Sequence, residues 1–141
     1  GRRPFIVYGP GESSGTAAGP SIAIAAAVRR EPATVRFSGR AGFVHADDVA
    51  RLLIAPFQRT FSGASVLTVT GETCRVDEFL AELSRQSGWT GISVAGSPLT
   101  IPGDLPSDPV PAWLGSHPVP SVRAGIAQTL AELNAAAHAS R

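Results

Sequence analysis

A glycine-rich loop after an apolar run is the first feature of this sequence whose residue types and spacing could do chemistry. The run FIVY precedes a loop that carries Gly9, Gly11 and Gly15, and a helix is predicted to follow. A strand, a glycine loop and a helix in this order can cradle the phosphates of a dinucleotide. The spacing does not match G-x-G-x-x-G, and the next predicted strand carries Arg36 where a ribose-binding acid is expected. The spacing therefore favours an ordinary strand-to-helix turn.

A second group of reactive side chains lies in the segment HADD, where His45 is followed by Asp47 and Asp48. A histidine close to carboxylates suggests acid–base or metal chemistry. The two aspartates also suit the first turn of a helix, and adjacent helical residues point in different directions. The structural interpretation is favoured, and His45 is kept as the candidate catalytic residue.

The remaining cysteine and histidines lack partners at a useful spacing. Cys74 is the single cysteine, so neither an internal disulfide nor a cysteine metal cluster can form. Beside Arg75 it is either a thiol of lowered pKa or an inert half-buried cysteine, and the inert form is the commoner one. His117 and His138 have no spaced partner, so no metal site is predicted.

Composition excludes several classes of partner. The 141 residues carry a net charge of +1 without a basic stripe, so nucleic acid is not expected as a partner. No apolar run approaches the roughly 20 residues that span a bilayer, so no membrane association is predicted and a cytoplasmic location is expected. The chain has no methionine, even at position 1, and we therefore expect a processed product or a piece of a longer protein.

Strands and helices alternate along the chain, which predicts an α/β fold. Strands are expected over 3–8, 33–38, 43–45, 65–71 and 91–96, and helices over 20–30, between His45 and Pro56, over 75–88 and from Ser121. Val49, Leu52 and Leu53 are predicted to form the apolar face of the second helix. We expect one domain or fragment over 1–141, with alternation over 1–96, a proline-rich segment over 97–120 and a closing helix over 121–138.

Four segments in order resemble the C-terminal half of the extended short-chain dehydrogenase/reductase family, of the NAD-dependent epimerase/dehydratase type. They are RPFIVYGPG, GFVHADDVARLL, VLTVTGETCRVDEFLAEL and GIAQTLAEL. The resemblance implies a partial Rossmann-like fold with small substrate-domain elements. It also implies that the YGPG stretch leads into a substrate pocket and is not the phosphate loop.

The resemblance assigns roles to several residues of the first strand and its loop. Phe5 and Ile6 would lie near the nicotinamide of NAD or NADP once the other half of the enzyme is present. The substrate-binding residues would be Tyr8, Gly9, Pro10, Gly11, Ser13, Ser14 and Arg40. The family's Tyr-x-x-x-Lys pair cannot exist here because the chain contains no lysine. The chain alone is therefore expected to bind no cofactor and to carry out no redox chemistry.

Two positions bear on the substrate. Ile6 and Ala41 stand where nucleotide-sugar enzymes of the family carry an asparagine and a diphosphate-gripping arginine. Losing both polar groups predicts a small-molecule substrate that is less charged than a nucleotide sugar.

The leading interpretation is thus the substrate-binding C-terminal part of an epimerase/dehydratase-like oxidoreductase. Such a piece is expected to bind the missing N-terminal half or to associate with itself, because the missing half would leave an apolar face and a strand edge open. Two alternatives remain open. One is a stand-alone binding module without redox activity, and the other is a small cofactor-free isomerase or cyclase that uses His45 with a carboxylate.

Overall fold

The computed structural model describes residues 2–11, 14–58, 62–64, 66–100, 106, 108–109 and 120–141. Short strands and four helices alternate along these ranges. The strands are β1 (Arg2–Pro4), β2 (Ile6–Tyr8), β3 (Ala33–Val35), β4 (Arg40–His45), β5 (Leu67–Val69), β6 (Glu72–Arg75) and β7 (Ile92–Val94). The helices are α1 (Gly19–Arg29), α2 (Ala46–Ile54), α3 (Val76–Ser87) and α4 (Val122–Ala139), with 3₁₀ turns at Thr16–Ala18 and Ala55–Gln58.

The described strands form three small sheets. In the largest, β4 lies between β2, to which it is parallel, and β6, to which it is antiparallel. The strand β1 pairs in parallel with β5, and β3 pairs in parallel with β7. The parallel pairs and the intervening helices confirm the predicted α/β class.

The strand predicted over 3–8 is divided at Phe5, where the chain changes sheets. Before this residue Pro4 pairs with Val69 of β5, and after it Ile6 pairs with Phe43 of β4. The Phe5 amide still donates to the Val69 carbonyl over 3.1 Å. One continuous apolar run therefore serves two sheets, which its alternation pattern alone does not reveal.

Two apolar clusters of different size hold these elements together. The larger cluster is formed by α1, α3 and α4 against the inner faces of β2, β3 and β4, and includes Ile24, Phe43, Phe79 and Ile126. The smaller cluster joins α2 to β5 and consists of the buried residues Val44, Leu52, Leu67 and Val69. As far as the described residues show, the sheet β1–β5 therefore packs on a smaller core than the rest of the chain.

The helix predictions are confirmed with one exception on α2. The Ala-rich segment that could also pass for a strand is the helix α1, α3 ends at Gly88 and α4 begins after Ser121. Leu53 was expected to face inward with Leu52, but it is 49% exposed while Leu52 is buried. Adjacent helical residues differ by about 100°, so only one of the two can face the sheet.

The strand boundaries differ more from the predictions than the helices do. The strands β3 and β5 are shorter than the predicted 33–38 and 65–71, and β4 begins at Arg40 and not at residue 43. The strand β6 was not predicted, because Glu72–Arg75 directly precedes α3 and carries no alternating apolar pattern. Within the ranges that the structure describes, no helix is long and apolar enough to cross a membrane.

Candidate functional site

The candidate site lies where the carboxyl ends of β2 and β4 meet. The strands are parallel and Tyr8 pairs with His45, so the loop after Tyr8 and the first turn of α2 share one edge of the sheet. In α/β folds, ligands bind outside the carboxyl ends of such strands. The glycine loop and the HADD segment, which are far apart in sequence, are thereby brought together.

Gly9 is required by close packing at this edge. A Cβ atom on Gly9 would lie 2.9 Å from the Cβ atom of Ala46, and the residue has a φ of 152°. Its amide donates to the Ser21 hydroxyl over 3.1 Å. The loop is thus fixed to both α1 and α2, and this amide is already used within the chain.

The Tyr8 side chain belongs to the core. It is 1% exposed and makes edge-to-face contacts with Phe43, His45 and Phe79 at centroid distances of 6.5, 5.4 and 5.2 Å. Burial raises the pKa of Tyr8 well above its ordinary value, and the nearby carboxylates Asp48 and Glu72 raise it further. A substrate contact by Tyr8 stays a prediction, because the ring itself faces protein on all sides.

His45 is buried, and both of its ring nitrogens are hydrogen-bonded within the chain. Only 2% of it is exposed, its Nδ1 accepts the Asp47 amide over 3.3 Å, and its Nε2 lies 3.0 Å from the Thr129 hydroxyl. Because that hydroxyl donates to the Gly125 carbonyl over 2.9 Å, Nε2 carries the proton that bonds to Thr129. Both ring nitrogens are bonded within the chain, and a catalytic role for His45 stays a prediction.

The two aspartates of the HADD segment face different partners. Asp47 accepts the Gln128 side-chain amide of α4 over 2.5 Å, whereas Asp48 is 6% exposed and lies 3.4 Å from Arg51. They do not form a carboxylate pair. This agrees with their interpretation as first-turn residues of α2, and the described residues contain no group of three or more potential metal ligands.

The other predicted site residues fall into two separate places. Pro10, Gly11 and Ser14 are exposed in the loop, and Ser13 lies outside the described residues. Arg40 is exposed at the opposite end of β4, five residues before His45. At about 3.3 Å per residue it lies about 16 Å from the loop edge, so it does not share a local site with the loop.

The positions used to predict the substrate are buried. Ile6 is 7% exposed and Ala41 is fully buried, while Phe5 is partly buried against the larger cluster. Both side chains pack in the larger apolar cluster of the described chain, and the place of Ile6 near a nicotinamide stays a prediction. Their apolar character therefore follows from the core and carries no information about the charge of the substrate.

Cys74 has the properties of an inert thiol. It lies opposite Ala41 in the antiparallel pair β4–β6 and is partly buried. Burial raises the pKa of the Cys74 thiol to about 12, and the Glu72 and Glu78 carboxylates add to the increase. This agrees with the inert interpretation and not with an activated nucleophile.

Sequence reasoning missed the residues of α4 that anchor this edge. Thr129 bonds to His45 and Gln128 bonds to Asp47, and a Cβ atom on Gly125 would overlap the Tyr8 hydroxyl oxygen. An isolated glycine inside a helix often marks a close contact, so Gly125 carried a usable signal. Thr129 and Gln128 carried none, because their partners are more than 80 residues away in the chain.

Comparison with known proteins gives a result at the level of structure only. No protein-family profile and no curated protein matches the sequence. Among solved structures, MoeE5 in complex with UDP-glucuronic acid and NAD has a TM-score of 0.70 and 26% identity, over 96% of this chain and 46% of that chain.

Two further structures are similar over the same region. The UDP-glucuronic acid 4-epimerase from Bacillus cereus, in complex with UDP-glucuronic acid and NAD, has a TM-score of 0.69 and 19% identity, over 96% of this chain and 45% of that chain. TunA, an NAD-dependent NDP-hexosamine 5,6-dehydratase, has a TM-score of 0.71 and 23% identity, over 96% of this chain and 45% of that chain.

These neighbours do not support the substrate prediction, but they confirm the fold prediction. Two of them bind UDP-glucuronic acid, so the expectation of a substrate less charged than a nucleotide sugar finds no support, as the burial of Ile6 and Ala41 already indicates. The partial Rossmann-like fold is confirmed. The chain has the fold of part of these NAD-dependent epimerases and dehydratases and spans slightly less than half of their length.

Proposed function

We propose that this chain is the substrate-side part of an NAD-dependent epimerase- or dehydratase-like enzyme. The observation that carries the proposal is the structural match to such enzymes over 96% of this chain and less than half of theirs. The YGPG loop at the carboxyl ends of β2 and β4 supplies the substrate contacts, through the exposed residues Pro10, Gly11 and Ser14.

The cofactor site of this enzyme is proposed to lie mainly outside the chain. The described part of the loop does not fit a dinucleotide phosphate, because the Gly9 amide is bonded to Ser21 and Ala46 fills the space beside Gly9. When bound to the whole enzyme, NAD or NADP would accept and return a hydride. Phe5 and Ile6 are the residues of this chain proposed to lie nearest to it.

The role proposed for this chain's own residues is to hold the substrate loop rigid. Ser21 fixes the Gly9 amide, and the bond between His45 and Thr129 fixes α4 against the end of β4. A rigid loop loses little entropy when it binds a ligand, which favours precise orientation of the reacting carbon. Redox chemistry by the chain alone is not part of the proposal.

The proposal is tested by titrating the ¹⁵N-labelled chain with UDP-glucuronic acid, UDP-glucose and NADH. We expect the sugar nucleotides to shift the amide signals of Gly9, Gly11, Ser14 and Ala46. Because half of the enzyme's contacts are missing, the affinity should be weak, with a Kd on the order of 1 mM. NADH alone should shift none of these signals.

The matched control for this titration is Ser84→Ala, which changes a partly buried hydroxyl position on α3 outside the loop edge. Replacing Ser14 by alanine should weaken the sugar-nucleotide shifts at Gly11, and the control should leave them unchanged. Shifts that map to another surface would contradict the placement of the substrate site. Shifts caused by NADH at Gly9 and Gly11 would mean that the loop holds the dinucleotide itself.

A further inference from the structure

The outer face of α2 carries an apolar stripe that nothing in the described chain covers. Leu53 is 49% exposed, Ile54 53% and Phe57 90%, and Ala50 is exposed beside them. Phe57 lies in the 3₁₀ turn that continues α2. We call Ala50, Leu53, Ile54 and Phe57 the α2 stripe. Exposed apolar side chains grouped in this way usually mark an interaction surface.

The α2 stripe has the spacing of a helix-packing face. Its members stand at positions i, i+3, i+4 and i+7, which is the pattern by which a helix buries one side against another helix. The opposite side of α2 is already used, since Leu52 packs on β5. Arg51 and Gln58 are exposed next to the stripe and would form its polar rim. The helix is thus apolar on two sides, only one of which packs against described residues of the chain.

The α2 stripe is complementary to a second copy of itself. If two copies pack antiparallel about a twofold axis between Leu53 and Ile54, Ala50 and Phe57 lie at equal distances on either side of that axis. The large Phe57 ring of each copy then faces the small Ala50 side chain of the other. An isologous contact of this kind is the usual way in which identical chains pair.

The size and the charge of this surface also suit a second copy. The exposed area of the four side chains is on the order of 400 Å² per copy. With the rim residues, two copies reach the total of about 1,000 Å² that a specific interface requires. The net charge of +1 gives little repulsion between copies.

We propose that the chain forms a twofold homodimer through antiparallel packing of the α2 stripe. The proposal concerns this chain as it stands and does not depend on the proposed function. The loop edge at Gly9 and the dimer contact are tested by different variants, so either proposal can fail without the other.

Sedimentation equilibrium tests the dimer. At about 200 µM the wild-type chain should show twice its mass of 14.5 kDa. Phe57→Ala should raise the dimer dissociation constant at least tenfold. Val66→Ala is the matched control, because Val66 is 56% exposed and lies outside the stripe, and it should leave the constant unchanged. Since all of these side chains are exposed, Trp89 fluorescence should show that the variants stay folded.

A size swap tests the antiparallel arrangement itself. Ala50→Phe alone should weaken the dimer, because two phenylalanine rings then meet, and Ala50→Phe combined with Phe57→Ala should restore it. A wild-type chain that stays monomeric at this concentration overturns the proposal and leaves the stripe to a different partner. Loss of the dimer in Val66→Ala, or failure of the swap to restore it, overturns the antiparallel α2 contact.

Discussion

At the residue scale, the contact between Gly125 and Tyr8 connects the closing helix α4 to the strand β2. Alanine is normally about 1 kcal/mol more favourable than glycine inside a helix, so helix propensity predicts that Gly125→Ala stabilises the protein. The added Cβ atom would overlap the buried Tyr8 hydroxyl oxygen, which cannot move aside into solvent. The contact and the propensity therefore make opposite predictions.

We predict that the steric overlap with Tyr8 outweighs the gain in helix propensity. Gly125→Ala should therefore lower the free energy of unfolding by about 2 kcal/mol. Urea denaturation followed by Trp89 fluorescence measures this. In a Tyr8→Phe background the loss should be smaller, since the hydroxyl is gone. Ala127→Gly, at an exposed position of α4, is the propensity control and should cost about 1 kcal/mol. A stabilising Gly125→Ala would show that α4 does not approach Tyr8 this closely.

The roles of single residues were predictable from sequence only when their partners are near in the chain. Asp47 and Asp48 were correctly assigned to a helix start, because helix dipoles act over one turn. The hydrogen-bond partner of His45 is Thr129, which lies 84 positions away, and no local sequence pattern predicts this pair. Ile6 and Ala41 were interpreted from local sequence alone, whereas both are buried in a cluster whose members come from distant parts of the chain.

At the element scale, α4 is capped by a residue from another element. Glu72 of β6 accepts the backbone amide of Val122, the first residue of α4, and the Ser121 hydroxyl accepts the Ala124 amide over 3.2 Å. A carboxylate at a helix N-terminus satisfies a free donor and interacts favourably with the helix dipole. The cap thus connects β6 to the closing helix across 50 positions of sequence.

We predict that Glu72→Ala lowers the free energy of unfolding by about 1 kcal/mol, and that Glu72→Gln, which keeps an acceptor oxygen, costs about half as much. The shift of the urea midpoint measures both. Glu31→Ala removes a carboxylate from an exposed pair with Arg29 and should cost less than about 0.5 kcal/mol. Equal costs for Glu72→Ala and Glu31→Ala would mean that the cap contributes nothing specific.

Helices were more predictable than strands for a physical reason. A helix satisfies its own backbone, so its pattern and end signals, such as Ser121 and Gly88, are local. A three-residue strand exists only because a partner pairs with it, as β6 pairs with β4. The sequence therefore located every described α-helix but missed β6 and the division of the first strand.

At the scale of the whole molecule, the two apolar clusters differ greatly in size. Among the residues that the structure describes, sixteen buried ones form the larger cluster, whereas four form the cluster between α2 and β5. Buried apolar area is the main source of stability, so the two parts should not resist unfolding equally. The part with β1, β5 and α2 is expected to open first.

We predict that hydrogen exchange in β5 and α2 is at least about tenfold faster than in α1 and α3. Exchange followed by mass spectrometry at about 1 µM, where the proposed dimer dissociates, measures this difference. The unfolded chain under the same conditions corrects for intrinsic rates. Equal protection in the two parts would show that the smaller cluster unfolds only together with the larger one.

The change of sheets at Phe5 has a consequence for how the length of the chain can vary. A residue added or lost between β1 and β2 would shift β2 by one position against β4, while β1 stayed paired with β5. Such a shift reverses the two faces of a strand, so Ile6 and Tyr8 would leave the core and Val7 would enter it. Surface loops generally tolerate insertions, but the connection through Phe5 has a single permitted length.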